Sequence, residues 1–171
     1  MSDAERYKAV GRWSSGRPSR IFGKVSPDGI HWQMAQDEAL IIAPEEDPQF
    51  DSPLGSFWDA RQERYAIYVR GWDPDGPERR IRAIRMTTSE DFIHWMPWRY
   101  IRISGEAQWR YHLYTNACHP YYRAPFYLIS PKRFLPERKF LEKPPYDGLS
   151  DVIFLAGRDG INFSRSGGDA F

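Results

Sequence analysis

Ser26-Pro-Asp-Gly-Ile-His-Trp32 returns as Ser89-Glu-Asp-Phe-Ile-His-Trp95 and again as Gly157-Arg-Asp-Gly-Ile-Asn-Phe163. Asp28, Asp91 and Asp159 are 63 and then 68 residues apart, so the pattern is an internal repeat. At each copy an Asp-(Gly/Phe)-Ile-x-aromatic turn follows a strand-like run. A second pair of matching segments, Glu5-Arg-Tyr-Lys-Ala-Val and Glu63-Arg-Tyr-Ala-Ile-Tyr, is offset by 58 residues and supports the same period. A unit of this length suits one blade of a β-propeller.

The first unit reads as a strand over Arg6 to Trp13, a polar turn at Ser14 to Arg17 and a partner strand over Arg20 to Val25. The second reads as four strands: Gly55 to Trp58, Glu63 to Arg70, Arg80 to Met86 and His94 to Ile101. Asp59-Ala-Arg-Gln-Glu and Asp73-Pro-Asp-Gly-Pro supply hairpin connections. Alternation in Arg80 to Met86 predicts a sheet with one polar edge or face. The third unit is expected to begin near Tyr121 to Ile129, to cross a Pro-, Lys- and Glu-rich loop from Pro131 to Gly148, and to resume at Asp151 to Ala156. The expected units are 1–40, 41–105 and 106–171. A closed propeller needs about four to eight blades, so fewer than three units predict a partial ring whose remaining blades lie elsewhere in a longer chain.

Bulk composition narrows the function. With 24 basic and 23 acidic residues the net charge is +1, which argues against nucleic acid or an anionic membrane as partner. Cys118 is the sole cysteine, so an intrachain disulfide and a Cys-based zinc cluster are excluded. No apolar run approaches the ~20 residues of a membrane span. Met1 to Tyr7 carries no apolar signal segment, and in a partial chain that leaves a secreted or periplasmic location open. Aromatic residues make up 16% of the chain, and 13 Gly with 14 Pro favour many short strands over long amphipathic helices.

Propellers carry their functional groups on innermost strands and the loops that lead into them. Two segments fit that position, Phe50-Asp-Ser-Pro-Leu-Gly-Ser-Phe-Trp58 and Tyr122-Arg-Ala-Pro-Phe-Tyr-Leu128; Ser150-Asp-Val-Ile-Phe154 is similar in pattern but reads as an outer strand. These stretches resemble the five-bladed propeller glycosidases, the group that contains arabinanases, β-xylosidases, arabinofuranosidases and invertases. The resemblance implies an all-β, incomplete five-bladed β-propeller of about two and a half blades of four-stranded antiparallel sheet. It also implies a general base on the first blade, a tuning aspartate on the second and a general acid glutamate in Glu-(Ala/Gly)-Pro-His on the third. Asp51 matches the tuning aspartate, whereas Arg123 stands where the acid belongs. Hydrolysis with inversion needs two carboxyl groups about 6.5 to 9.5 Å apart, and arginine does not release a proton near neutral pH.

The resulting expectation is a channel lined by Asp51 as the catalytic position, with Arg123, Arg70, Asn116, His119, Tyr114 and Asp151 contacting a carbohydrate. Asp51 could equally cap the turn before Ser52-Pro53, and Arg123 could bridge to Asp51 or Asp151 rather than touch ligand. Tyr111-His-Leu-Tyr-Thr-Asn-Ala-Cys-His-Pro-Tyr-Tyr-Arg123 mixes flat rings with amide and imidazole groups, which suits sugar recognition or a loop packed by its own aromatics. His112 and His119 are seven apart without a zinc pattern, so neither metal nor cofactor is expected. The repeated Asp-Gly turns read as structural, their aromatic residues packing between blades. A glycosidase-like propeller, inactive in this partial form, is the leading reading; a non-catalytic carbohydrate-binding or scaffold propeller is the other.

Overall fold

The computed structural model describes residues 3–12, 16–47, 49–73, 81–104, 112–138 and 148–165, with the side chains of 51 and 52 outside that set. Among these residues the fold is all-β, with no helix long and apolar enough to cross a membrane. The first sheet contains β1 (Tyr7–Gly11), β2 (Arg20–Ser26), β3 (Gln33–Met34) and β4 (Ile41–Ile42), with β3 and β4 pairing different stretches of β2. The second is an antiparallel meander of β5 (Asp51–Asp59), β6 (Arg64–Trp72), β7 (Arg82–Ser89) and β8 (Arg99–Tyr100). From β8 the chain runs into β9 (Arg102–Ser104).

The third body is a meander broken halfway along its length. Its strands are β10 (His112–Leu113), β11 (His119–Pro120), β12 (Tyr127–Ile129), β13 (Lys132–Leu135), β14 (Leu149–Val152), β15 (Leu155–Gly157) and β16 (Asn162–Arg165). β11, β12, β15 and β16 pair in that order, while β10, β13 and β14 pair beside them. The break falls at Pro131, which has no amide hydrogen for a ladder; its carbonyl instead accepts from Ile153 N at 3.3 Å. β9 closes the outer edge by pairing in parallel with β16, tying the second body to the third.

Two of the cores among the described residues lie on opposite faces of the second sheet. Ile67 and Val69 of β6 pack with Ile21, Ala43 and Phe50 against the first sheet, while Ala66, Tyr68, Ile84 and Met86 pack with Leu113, Tyr127, Ile129 and Leu155 of the third body. Alternate residues of β6 therefore serve opposite cores, which explains its near-continuous burial. β7 behaves likewise, correcting the expected polar face: Arg85 is 2% exposed. It is tolerated there because Asp47 lies 3.2 Å from its Nη1 and the rings of Phe50 and Trp98 cover its guanidinium.

The expected loop from Pro131 to Gly148 also needs correction at its start. Residues 132–135 form β13, with Arg133 buried by its pairing to Asp151 of β14; residues 139–147 lie outside the described set. The third body begins at β10, ahead of the expected start near Tyr121. Residues 122–125 form the turn between β11 and β12.

The repeated turns share one hydrogen-bond scheme. Asp28 Oδ1 accepts from Ile30 N and His31 N at 2.8 Å each, and Asp91 Oδ1 accepts from Ile93 N and His94 N at the same distance. Asp159 Oδ1 accepts from Ile161 N at 2.9 Å and Asn162 N at 2.7 Å. Ser26 and Ser89 add a hydroxyl that donates to the aspartate and accepts from the third residue's amide. All three turns link β2 to β3, β7 to β8 and β15 to β16 at equivalent places. Gly29 and Gly160 sit at φ 79° and 77°, and Phe92 holds the same left-handed position at φ 74°. Of the three aromatics, Phe163 is buried and Trp95 half-buried, but Trp32 is 39% exposed, so the expectation of packing between blades fails at the first copy.

Candidate functional site

The start of β5, the end of β6, the start of β7 and the residues after β10 meet at one end of the second and third bodies. β6 and β7 place Arg70, Trp72 and Arg82 on their third-body face, the same parity as Tyr68 and Ile84. Tyr114, whose N donates to Lys132 O at 2.8 Å, lies across from them. Its ring centroid is 4.4 Å from Arg82 Cζ, 5.5 Å from Arg70 Cζ and 5.5 Å from Lys132 Nζ. Arg70 and Arg82 also lie over Trp72, at 5.6 and 5.0 Å. Cations over aromatic faces hold each other in place at about 0.5 to 2 kcal/mol each.

His112 completes the cluster. Its Nδ1 is 3.1 Å from Arg82 Nη1 and 3.3 Å from Arg82 N, so one imidazole nitrogen faces two donors. Burial, and then the charge of Arg82, hold the imidazole below its ordinary range; the field of Glu137 opposes them. A neutral ring that accepts from a guanidinium is the consistent state.

Asp51 stands opposite Arg70 in the β5–β6 register, which places its backbone at this end of the sheet. Of the expected contact residues, Arg70 and Tyr114 lie together. The other expected contacts disperse. Arg123 is exposed in the β11–β12 turn, with Cζ 5.2 Å from the Tyr122 ring, and is not on a strand as expected. Asp151 makes its bridge with Arg133, whose Nε donates to Oδ1 at 2.7 Å; that hydrogen bond holds the carboxyl below its ordinary range against partial burial. His119 is exposed in β11 with its ring edge-on to Phe57 at 6.3 Å. Asn116 is 5% exposed and donates to Pro53 O at 3.2 Å and Tyr68 O at 3.1 Å. It fills the bulge in β5 between Asp51 and Gly55, where a side chain on Gly55 would collide with Asn116 Oδ1. Tyr111 lies outside the described residues.

Sequence reasoning missed Arg82 and Lys132. Both fell in stretches read for pattern only, one as a strand's polar face and the other as loop. A concavity of about 490 Å³ is lined by Pro44, Glu46, Asp47, Trp72, Arg85 and Trp98, among others. Its floor is the buried Arg85–Asp47 pair, and Asp47 Oδ2 also accepts from Trp72 N at 2.9 Å.

No protein-family model matches the chain, and no curated protein sequence matches it. Among solved structures, an N-acetylgalactosamine deacetylase from F. plautii in complex with blood group B trisaccharide is similar at TM-score 0.65 and 13% identity, over 94% of this chain and 48% of that one. A Bombyx mori GH32 β-fructofuranosidase, as a point mutant in complex with sucrose, is similar at TM-score 0.58 and 10% identity, over 92% of this chain and 31% of that one. This chain thus spans about half and about a third of their lengths. At these identities the likeness is one of fold, and it is a fold found in carbohydrate-processing enzymes.

Proposed function

We propose that this chain is part of a glycosidase-like, five-bladed β-propeller, with units near 1–40, 41–105 and 106–171, and that it meets a carbohydrate at the end where Asp51, Arg70, Arg82 and Tyr114 converge. The observation that carries the reading is the β5–β6 register: the Asp51 position is paired with Arg70, and Arg70 lies over Tyr114 with Arg82. A carboxylate-bearing strand end beside rings and fixed donors is the equipment of a sugar site. The matches in fold to enzymes solved with a trisaccharide and with sucrose support the same class of ligand.

Binding without hydrolysis is the second reading, and two placements favour it. Arg123 lies away from the cluster, and Asp151 is occupied by Arg133. Incubation of the chain, and of a longer form carrying flanking sequence, with a panel of oligosaccharides separates the two. Turnover that Asp51→Asn abolishes supports the enzyme; binding with no turnover in either form supports the binder. No binding of any glycan removes the carbohydrate assignment.

A further inference from the structure

We propose that the Tyr114 cluster takes an anionic saccharide, one bearing a carboxylate or a sulfate ester, with Arg82 and Lys132 as the groups that hold the anion. The inference rests on the carbohydrate reading above and narrows its ligand class.

Three cations approach one ring within 5.5 Å. Like charges so gathered repel, and proteins ordinarily intersperse carboxylates among them. Among the described residues, neither Arg82 nor Lys132 has a carboxylate within ion-pair distance. Arg82 is instead fixed by a neutral partner, His112, and by the faces of Tyr114 and Trp72. Its Nε is buried and without a hydrogen-bond partner. A guanidinium carries five donors, and a fork held this way is pre-organised for a planar or tetrahedral oxyanion, which it meets with paired charge-assisted hydrogen bonds. Lys132, exposed at the start of β13, adds a point charge 5.5 Å from the centre of the same ring. A neutral sugar would leave this charge unused.

Calorimetry on the full chain at low salt tests the proposal, with a tri-uronate, a sulfated disaccharide and an uncharged trisaccharide as probes. The expected result is at least a tenfold preference for one charged probe over the neutral one, with the preference weakening as salt rises. The tri-uronate binding tighter assigns the carboxylate, and the sulfated sugar binding tighter assigns the sulfate ester. Lys132→Gln, at an exposed position that does not threaten folding, should remove most of the preference while leaving the neutral probe unchanged; Arg82→Gln should remove the preference as well, and Arg82→Lys should restore part of it. Equal binding of neutral and charged sugars overturns the inference and leaves the carbohydrate reading standing. If inorganic sulfate binds as tightly as either charged sugar, saccharide recognition is overturned at this cluster. If none of the three sugars binds, the broader reading fails as well.

Discussion

Asn116 donates its side-chain amide to the Tyr68 carbonyl at 3.1 Å, joining the segment between β10 and β11 to the middle of β6. The same nitrogen reaches Pro53 O in the β5 bulge. An amide that looks suited to a sugar hydroxyl is here a clamp between two sheets, and its Oδ1 stays buried without a partner.

Replacing Asn116 by Ala removes both contacts and opens a polar void. The expected loss is about 2 to 3 kcal/mol, read from urea midpoints at constant slope. A change below about 0.5 kcal/mol shows that the bulge holds itself.

Arg85 and Asp47 are 2% and 7% exposed at their side chains. Removing either partner leaves a buried charge, so Asp47→Ala and Arg85→Ala should each cost about 3 to 5 kcal/mol. The double variant Asp47→Leu, Arg85→Met should recover most of that loss. Additive losses in the double variant show that the two side chains do not act as a pair.

Phe92 combines a left-handed backbone with burial against Tyr65, Trp95 and the Lys8 ammonium. Phe92→Ala loses the packing and keeps the backbone cost; Phe92→Gly loses the packing and relieves the backbone by about 1 kcal/mol. Glycine should therefore be the milder substitution, the reverse of the order expected in an ordinary strand. Thermal unfolding of the two variants decides the order.

Four aspartates shape the response to acid. Hydrogen bonds from His31 and His94, side chain first and then backbone, lower the Asp28 and Asp91 carboxyls, and the Arg133 hydrogen bond lowers Asp151. At Asp159, burial acts upward but is outweighed by the Asn162 and Ile161 hydrogen bonds. A folded-state value below the unfolded one gives stability that is complete above the unfolded pKa of about 4 and is lost as pH falls through the folded value. The melting temperature should fall modestly from pH 7 to 5, where the unfolded chain protonates an imidazole that the folded His112 keeps neutral, and drop further from pH 5 toward 3, with a shallower acid drop in Asp151→Asn. Equal acid slopes in the two proteins remove Asp151 from the effect.

The repeat made the turns legible because each aspartate bonds amides two and three residues ahead, so their geometry is local. Three strands of the second sheet were readable from the same local pattern, whereas the fourth, expected over His94 to Ile101, is confined to Arg99–Tyr100. Arg85 was not, because what buries it is Asp47, 38 positions upstream. Nor was the start of the third body: its first strand is split into β10 and β11 of two residues each, too short for alternation to register. Arg123 looked like a strand residue because Ala-Pro-Phe-Tyr follows it, yet that proline belongs to the hairpin turn.

The most direct test of where this protein meets a glycan is a saccharide titration followed by NMR at the side-chain NH groups of Arg82 and the ring of Tyr114. Saturable shifts at those two groups, with the Tyr121 to Arg123 turn unmoved, are expected. Saturable shifts confined to that turn, or to the Glu46–Trp98 groove, would place recognition elsewhere and refute the site.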